Sequence, residues 1–420
     1  MMERYSQYKQ SGIQWIGEIP SHWEKKYLRS FLSLYSEKGH GDAQLLSVTR
    51  EQGVIIRDKE DKEENHNFVP EDLSGYKYIE CGDFVINKMK AWQGSYAVSE
   101  HKGIVSPAYY TCKLRGVNKV FFSKAIRSKA YIGFFASYSK GIRVGQWDLE
   151  TNALKTIPFI LPPLPEQEKI VKFIESKTIK IDAYVAERER ELQLLKELNE
   201  TEIANVVTRG LNPHAKMKDS GISWIGMIPE HWEITKINSI YTERREKVSD
   251  KDYPPLSVSK QGVTSQLETA VKTDNGDNRK KVCVGDFVVN SRSDRKGACG
   301  VSPLKGSVSL INIVLEPRIE IENQYYHYLF RSNNYIEEFY RIGRGIVADL
   351  WTTRYSEMRN ILVPFPPLSE QRAIVAHIED KCRKVNTLIS ELESEIEYLK
   401  EYKQRLIADC VTGQINVQNL

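Results

Sequence analysis

Two short segments of the chain concentrate side chains suited to gripping a polyanion. Residues 87–96 read NKMKAWQGSY and residues 290–300 read NSRSDRKGACG. The first supplies Asn87, Lys88, Lys90, Trp92 and Gln93; the second supplies Asn290, Ser291, Arg292, Ser293, Asp294, Arg295 and Lys296. Lysine and arginine hold phosphates or read guanine O6 and N7, asparagine and glutamine suit the adenine edge, and tryptophan stacks or wedges. Arg292, Arg295 and Lys296, with Asp294 between them, make a fork of cations. The plain alternative for both segments is a solvated hairpin tip with ordinary surface charge.

No other constellation offers chemistry. The chain has no G-x-x-x-x-G-K-[ST] loop, no H-E-x-x-H and no G-x-S-x-G. Gly343-Arg344-Gly345 lacks the third glycine of a dinucleotide site. Six cysteines and eight histidines show no metal-ligand spacing. The chain therefore reads as a binding device, not an enzyme, with no metal and no cofactor of its own. A net charge of +4 excludes a polycation, so any nucleic-acid surface must be a local patch. The amino terminus has no apolar signal core, and no run approaches the ~20 apolar residues that cross a bilayer. Scattered cysteines without C-x-x-C spacing fit reduced thiols, so a cytoplasmic location and no membrane contact are expected.

The elements that must position these segments are written twice. GIQWIGEIPSHWE at residues 12–24 returns as GISWIGMIPEHWE at 221–233, identical at ten of thirteen positions, which rules out coincidence. Gly82-Asp83-Phe84-Val85 returns as Gly285-Asp286-Phe287-Val288, Gly141-Ile142 as Gly345-Ile346, Trp147 as Trp351, and Pro162-Pro163-Leu164 as Pro366-Pro367-Leu368, each followed by Glu-Gln. The chain is thus a duplicated unit of roughly 200 residues, too long for a solenoid repeat. Residues common to both copies build a frame, Trp147 and Trp351 among them; residues that differ are free to carry specificity. Arg143 and Gln146, facing Val347 and Leu350 in the other copy, join the candidates on that ground.

Each copy begins with short β-rich runs such as GDFVIN and GDFVVN, punctuated by Gly, Pro and Asp, with a few helical stretches: an α+β domain. A proline-rich bridge then leads into a long, very polar helix, about residues 166–208 and 370–412. Its apolar stripe is narrow: Ile170, Ile174, Ile181, Tyr184, Leu192, Leu195 and Leu198 in one copy, and Ile374, Ile378, Val385, Leu388, Leu392, Ile396, Leu399, Tyr402 and Leu406 in the other. Such a stripe needs a partner of its own kind, so the two helices are expected to pair antiparallel as a rod of roughly 60 Å. The alternative is that each helix packs on its own globular domain. The expected organisation is a globular domain at 1–163, a helix at 164–210, a second globular domain at 211–367, a helix at 368–413 and a tail at 414–420.

The W-I-G-x-I-P-x-H-W-E opening, the P-P-L-x-E-Q bridge and their two-fold repetition resemble the specificity subunit of type I restriction–modification systems, and the likeness spans essentially the whole chain. The segments NKMKAWQG…GIVSPAY and NSRSDRKGACGVS…GSVSLIN are similar to the target recognition domains of that family. The resemblance implies two pseudo-two-fold-related recognition domains separated by antiparallel coiled-coil helices, each reading one half of an asymmetric bipartite site in double-stranded DNA. It implies two modification methyltransferase subunits, which bring S-adenosylmethionine and methylate flipped-out adenines. It implies two restriction and translocase subunits using ATP and Mg. The rival expectation is a coiled-coil adaptor whose domains bind protein without DNA specificity.

Overall fold

The computed structural model describes residues 3–58, 70–141, 147–266, 276–292, 295–345 and 351–418. The chain divides into two units, Met1–Glu189 with Ser394–Leu420, and Arg190–Glu393. The first carries β1 (Leu32–Tyr35), β2 (Leu46–Thr49), β3 (Gly53–Ile56), β4 (Phe84–Asn87), β5 (Tyr96–Val98), β6 (Tyr109–Leu114), α1 (Lys119–Ile126) and α2 (Lys129–Tyr138). Helix α3 (Leu164–Arg209) begins in this unit and ends in the second. The second unit carries β7 (Tyr241–Glu243), β8 (Leu256–Ser259), β9 (Gly262–Ser265), β10 (Phe287–Asn290), β11 (Cys299–Val301), β12 (Asn312–Pro317), α4 (Asn323–Arg331) and α5 (Asn333–Arg341). Helix α6 (Leu368–Val411) starts there and returns to the first. Among the described residues no helix is long and apolar enough to cross a membrane.

Each unit has the expected α+β character. Its central sheet is antiparallel in the order β1-β6-β4-β5, or β7-β12-β10-β11 in the second. The run after Gly-Asp is apolar throughout because both faces of that strand are covered. Phe84 and Ile86 enter the core with Phe121 and Phe122, whereas Val85 meets Leu46, Val54 and Val105 on the hairpin side. Phe287 and Val289 likewise pack with Tyr325 and Phe330, and Val288 with Leu256, Val263 and Val308. The preceding Gly82 and Gly285 turn with φ of 89° and 90°, open to glycine at little cost. Asp83 and Asp286 accept the N–H of Glu80 and Cys283 at 2.7 Å, which closes that turn.

The long helices start at Leu164 and Leu368, directly after the Pro-Pro step, because proline's missing N–H is not needed in a first turn. In the first unit Lys400 and Lys403 of α6 reach Glu189 and Asp182 of α3 at 2.7 and 2.6 Å. In the second, Lys196 and Glu202 of α3 meet Glu393 and Lys381 of α6 at 3.0 and 2.8 Å. Numbers rise along one helix as they fall along the other, so within each unit the two run antiparallel. Both packing modes weighed from the sequence occur. The helix ends, Ile170, Ile174, Leu406 and Val411 in one unit and Val207, Ile374 and Ile378 in the other, sink into the globular cores. Three stripe positions depart from expectation: Leu198, Leu388 and Tyr402 are exposed. A two-helix seam covers only a narrow strip of each surface, and these residues lie outside it.

The doubled Ile-Pro-x-His-Trp motif ties each globular domain to both long helices. Trp23 and Trp232 are fully buried. In the first unit His22 Nε2 lies 2.8 Å from Glu166 in the first turn of α3. Beside it, α6 ends on Gly413 (φ 78°), where an added Cβ would overlap Pro20 and stand 3.1 Å from Trp23. In the second unit His231 meets Glu370 at 2.6 Å, and Gly210 (φ 73°) after α3 would place a Cβ 3.2 Å from Trp232. The neighbouring Gln167 and Gln371 each donate to a bridge carbonyl, Pro162 or Pro366, at 2.8 Å. Each also accepts the N–H of the cap residue of α1 or α4, Asn118 or Glu322, at 2.9 Å.

Candidate nucleic-acid interface

Strand β4 delivers Asn87 to the mouth of a loop closed by its own backbone. Lys90 N donates to Asn87 O (3.0 Å), Ser95 N to Lys90 O (3.2 Å), and a 3-10 turn at Ala91–Gln93 ends on left-handed Gly94. Asn87 is buried, Lys88, Trp92 and Gln93 are half-buried, and Met89 and Lys90 project into solvent. The loop leans on a second segment. Lys88 pairs with Asp148 at 2.9 Å, Leu149 N donates to Lys88 O, and the Trp92 and Trp147 rings lie 5.2 Å apart. The hydrogen bond that Lys88 donates to Asp148 raises the lysine's pKa, which keeps it charged. Asp148 also bridges to Lys140, which sets that lysine beside the loop after β4. Arg143 and Gln146 lie outside the described residues.

The second unit repeats the arrangement with other side chains. Thr353 N donates to Ser291 O, and both Arg292 and Arg344 bridge to Thr352. Trp351 donates its indole N–H to Tyr340 O at 2.8 Å, in keeping with a frame role. Arg292, Arg295 and Lys296 are exposed, and Lys296 reaches Glu337 at 3.0 Å. Asn290 Oδ1 accepts from Arg292 N (3.2 Å), and Ser291 is buried with its hydroxyl donated to Ile311 O at 2.6 Å. Ser293 and Asp294 lie outside the described residues.

In each copy the loop after the Gly-Asp-Phe strand lies against described residues beside the shared tryptophan, Asp148 and Leu149 in one and Thr352 and Thr353 in the other. Lys90, Arg292, Arg295 and Lys296 stand on the outside, whereas Asn87 and Ser291 are buried and the Ser291 hydroxyl donates to Ile311 O. Two further residues, Lys140 and Arg344, are not among those that differ in kind between the copies. These are cations at equivalent places just before the shared Gly141 and Gly345, and both are exposed on the same segment. A phosphate contact carries no sequence information, so a cation can be shared by two domains that read different bases. The signal was present in the alignment of the copies, in the residues that agree in charge without being identical. Behind the loops the copies diverge in packing: Tyr96 stacks on Phe135 at 3.9 Å, whereas Cys299 in its place leaves a cleft lined by Val289, Ala298, Tyr335 and Phe339. Burial pushes the Cys299 thiol up to about 12, so it is an inert filler and not a nucleophile.

No family model matches the chain. Among curated proteins it is 23% identical to the putative type I restriction enzyme MjaX specificity subunit of Methanocaldococcus jannaschii, covering 96% of each chain. It is 23% identical to the MjaVIII specificity subunit of the same organism, over 84% of this chain and 89% of that one. The EcoKI specificity subunit of Escherichia coli K12 is 22% identical over 84% and 79%. A solved chain from work on complex assembly and conformational transition of the type I R-M system superposes with a TM-score of 0.67 at 16% identity, covering 94% of this chain and 98% of that one. The shared fold extends over nearly the full length, and the curated relatives are type I restriction enzyme specificity subunits.

Proposed function

We propose that this chain, a homologue of type I restriction enzyme specificity subunits along almost all of its length, is the DNA-recognition subunit of a type I restriction–modification complex. One observation carries the reading. Both copies share the frame and present, at the same place after the Gly-Asp-Phe strand, exposed cationic loops of different composition. Each loop, with the segment folded onto it, reads one half of an asymmetric bipartite site: cations on phosphates fix register, and the non-shared side chains address base edges. The paired helices set the spacing between half-sites, whose centres fall about one helical turn, roughly 10 bp, apart. They also dock two modification subunits, which supply S-adenosylmethionine and methylate an adenine in each half, while restriction subunits supply ATP- and Mg-dependent steps. This chain contributes recognition and performs no bond-making step.

The decisive experiment maps methylated adenines in DNA from cells with and without the gene. A bipartite motif that disappears on deletion is the expected result. Exchange of residues 25–160 for another recognition domain should then rewrite one half of the motif and leave the other intact. Loss of no motif, or a rewriting of both halves, overturns the reading and favours the adaptor alternative.

A further inference from the structure

We infer that the tips of the β2–β3 and β8–β9 hairpins form a second DNA contact in each unit, held in place by Arg127 and Arg331; this rests on the DNA-recognition reading above. Arg127, at the end of α1, donates to three backbone carbonyls: Tyr96 at 2.9 Å, Arg50 at 3.1 Å and Glu51 at 2.7 Å. Arg331, at the end of α4, donates to Cys299 O at 2.9 Å and to Lys260 O. Among the described residues neither guanidinium pairs with a carboxylate. Taking a guanidinium partly out of water for neutral acceptors is a costly way to hold a turn whose carbonyls water would satisfy freely. That the device occurs in both copies, on hairpins of different sequence, argues that the position of the tip matters.

The tips carry suitable chemistry. Arg50, Glu51 and Gln52 are exposed in one, Lys260 and Gln261 in the other, so each sets a cation close to an amide. Next comes a glycine in the left-handed region, Gly53 (φ 81°) or Gly262 (φ 105°), lying directly against β5 or β11: a Cβ on Gly53 would stand 2.8 Å from that of Ala97, and one on Gly300 3.2 Å from the Gly262 Cα. Tyr96 and Cys299, whose carbonyls take the guanidinium, are the first residues of the strands that leave the reading loops. The arginine therefore fastens the hairpin tip to the exit of the loop already assigned to DNA. A cation for phosphate and a glutamine for an adenine edge extend that surface by one contact of each kind.

The test uses the full chain with a pool of randomised double-stranded oligonucleotides, recovering the bound sequences and titrating affinity against salt. Arg50→Ala with Gln52→Ala should weaken binding about tenfold, flatten the log–log salt slope by about 0.9 for one lost phosphate contact, and relax preference in one half-site only. Lys260→Ala with Gln261→Ala should do the same in the other half. Arg127→Gln should reproduce the first phenotype, and adding it to the tip pair should cost nothing further, as a purely structural role would not. If Lys90→Ala weakens binding while both tip pairs keep the parent's affinity, slope and preference, the hairpin inference fails and DNA recognition stands. If the parent chain retains no duplex, the recognition reading itself fails and takes this one with it.

Discussion

The two units build the same joint with different donors. In the first, Glu166 is buried and takes His22 on one oxygen and the Tyr5 hydroxyl on the other, at 2.8 and 2.5 Å; the Trp23 indole N–H has no partner among the described residues. In the second, Glu370 is half-exposed, takes His231 at 2.6 Å, and its other oxygen accepts the Trp232 indole N–H at 2.9 Å. The difference begins outside the doubled motif, where Tyr5 in one copy faces His214 in the other. The joint therefore demands one histidine and one further donor on the carboxylate. Which side chain supplies the second is left to the neighbouring chain.

Loss of the shared part should hurt both units most. Trp23→Ala and Trp232→Ala each remove a fully buried indole wedged between a globular domain and the glycine end of a long helix. Each should cost about 3–5 kcal/mol, with Trp232→Ala the worse by the lost indole hydrogen bond, roughly 1 kcal/mol. Hydrogen exchange read peptide by peptide locates the loss. Deprotection confined to the substituted unit sustains the picture of two separately cored copies; equal deprotection of both would break it.

Much of this was legible in the sequence because duplication is a long-range signal. The repeated motif, the Gly-Asp-Phe strands, the proline bridges and the paired polar helices all repeat in order, and each lies where the repeat placed it. What the sequence hid was local and three-dimensional. Glu-Gln after the bridge read only as a helix start, yet its two side chains contact residues such as His22 and Asn118, far away in the chain. Asn87, which ends β4, and Ser291, which directly follows β10, have the composition of base readers but are buried, which sequence composition does not announce. Nothing in the sequence singles out Arg127 and Arg331, because carbonyl acceptors leave no mark there.

A smaller effect separates the units by pH. His327 on α4 accepts the Val301 N–H through Nδ1 at 3.2 Å, at a place where α1 carries Ser123. Burial, and then the neighbouring Arg331, lower its pKa from 6.5 to about 4. The unfolded chain takes up a proton near pH 6.5 while the folded unit refuses it until about pH 4. The contribution is therefore complete above pH 6.5 and is lost as pH falls across that window, roughly 1–3 kcal/mol in all. Exchange protection of the second unit should drop more than that of the first between pH 7 and 4.5. His327→Ser should flatten the difference, and an unchanged pH response would refute the assignment.

The smallest effect tests whether the two joints are interchangeable. Burial and the hydrogen bond to Glu166 raise the Tyr5 pKa, so its hydroxyl stays protonated and remains a donor. Its ring lies 5.9 Å from that of Trp23, whose indole N–H is buried and has no partner among the described residues. Tyr5→Phe strips one donor from a carboxylate that water reaches poorly, an omission worth about 1–3 kcal/mol when nothing replaces it. The second unit shows what can replace it, since Trp232 serves Glu370 from the matching position. Tyr5→Phe should therefore cost under about 1 kcal/mol, as the Trp23 indole turns to Glu166. Combining Tyr5→Phe with Trp23→Phe removes both donors, and the pair should cost about 1–2 kcal/mol more than the separate losses added together. Additive losses in that cycle would mean that each unit is committed to its own donor, and that the copies share a shape without sharing a spare part.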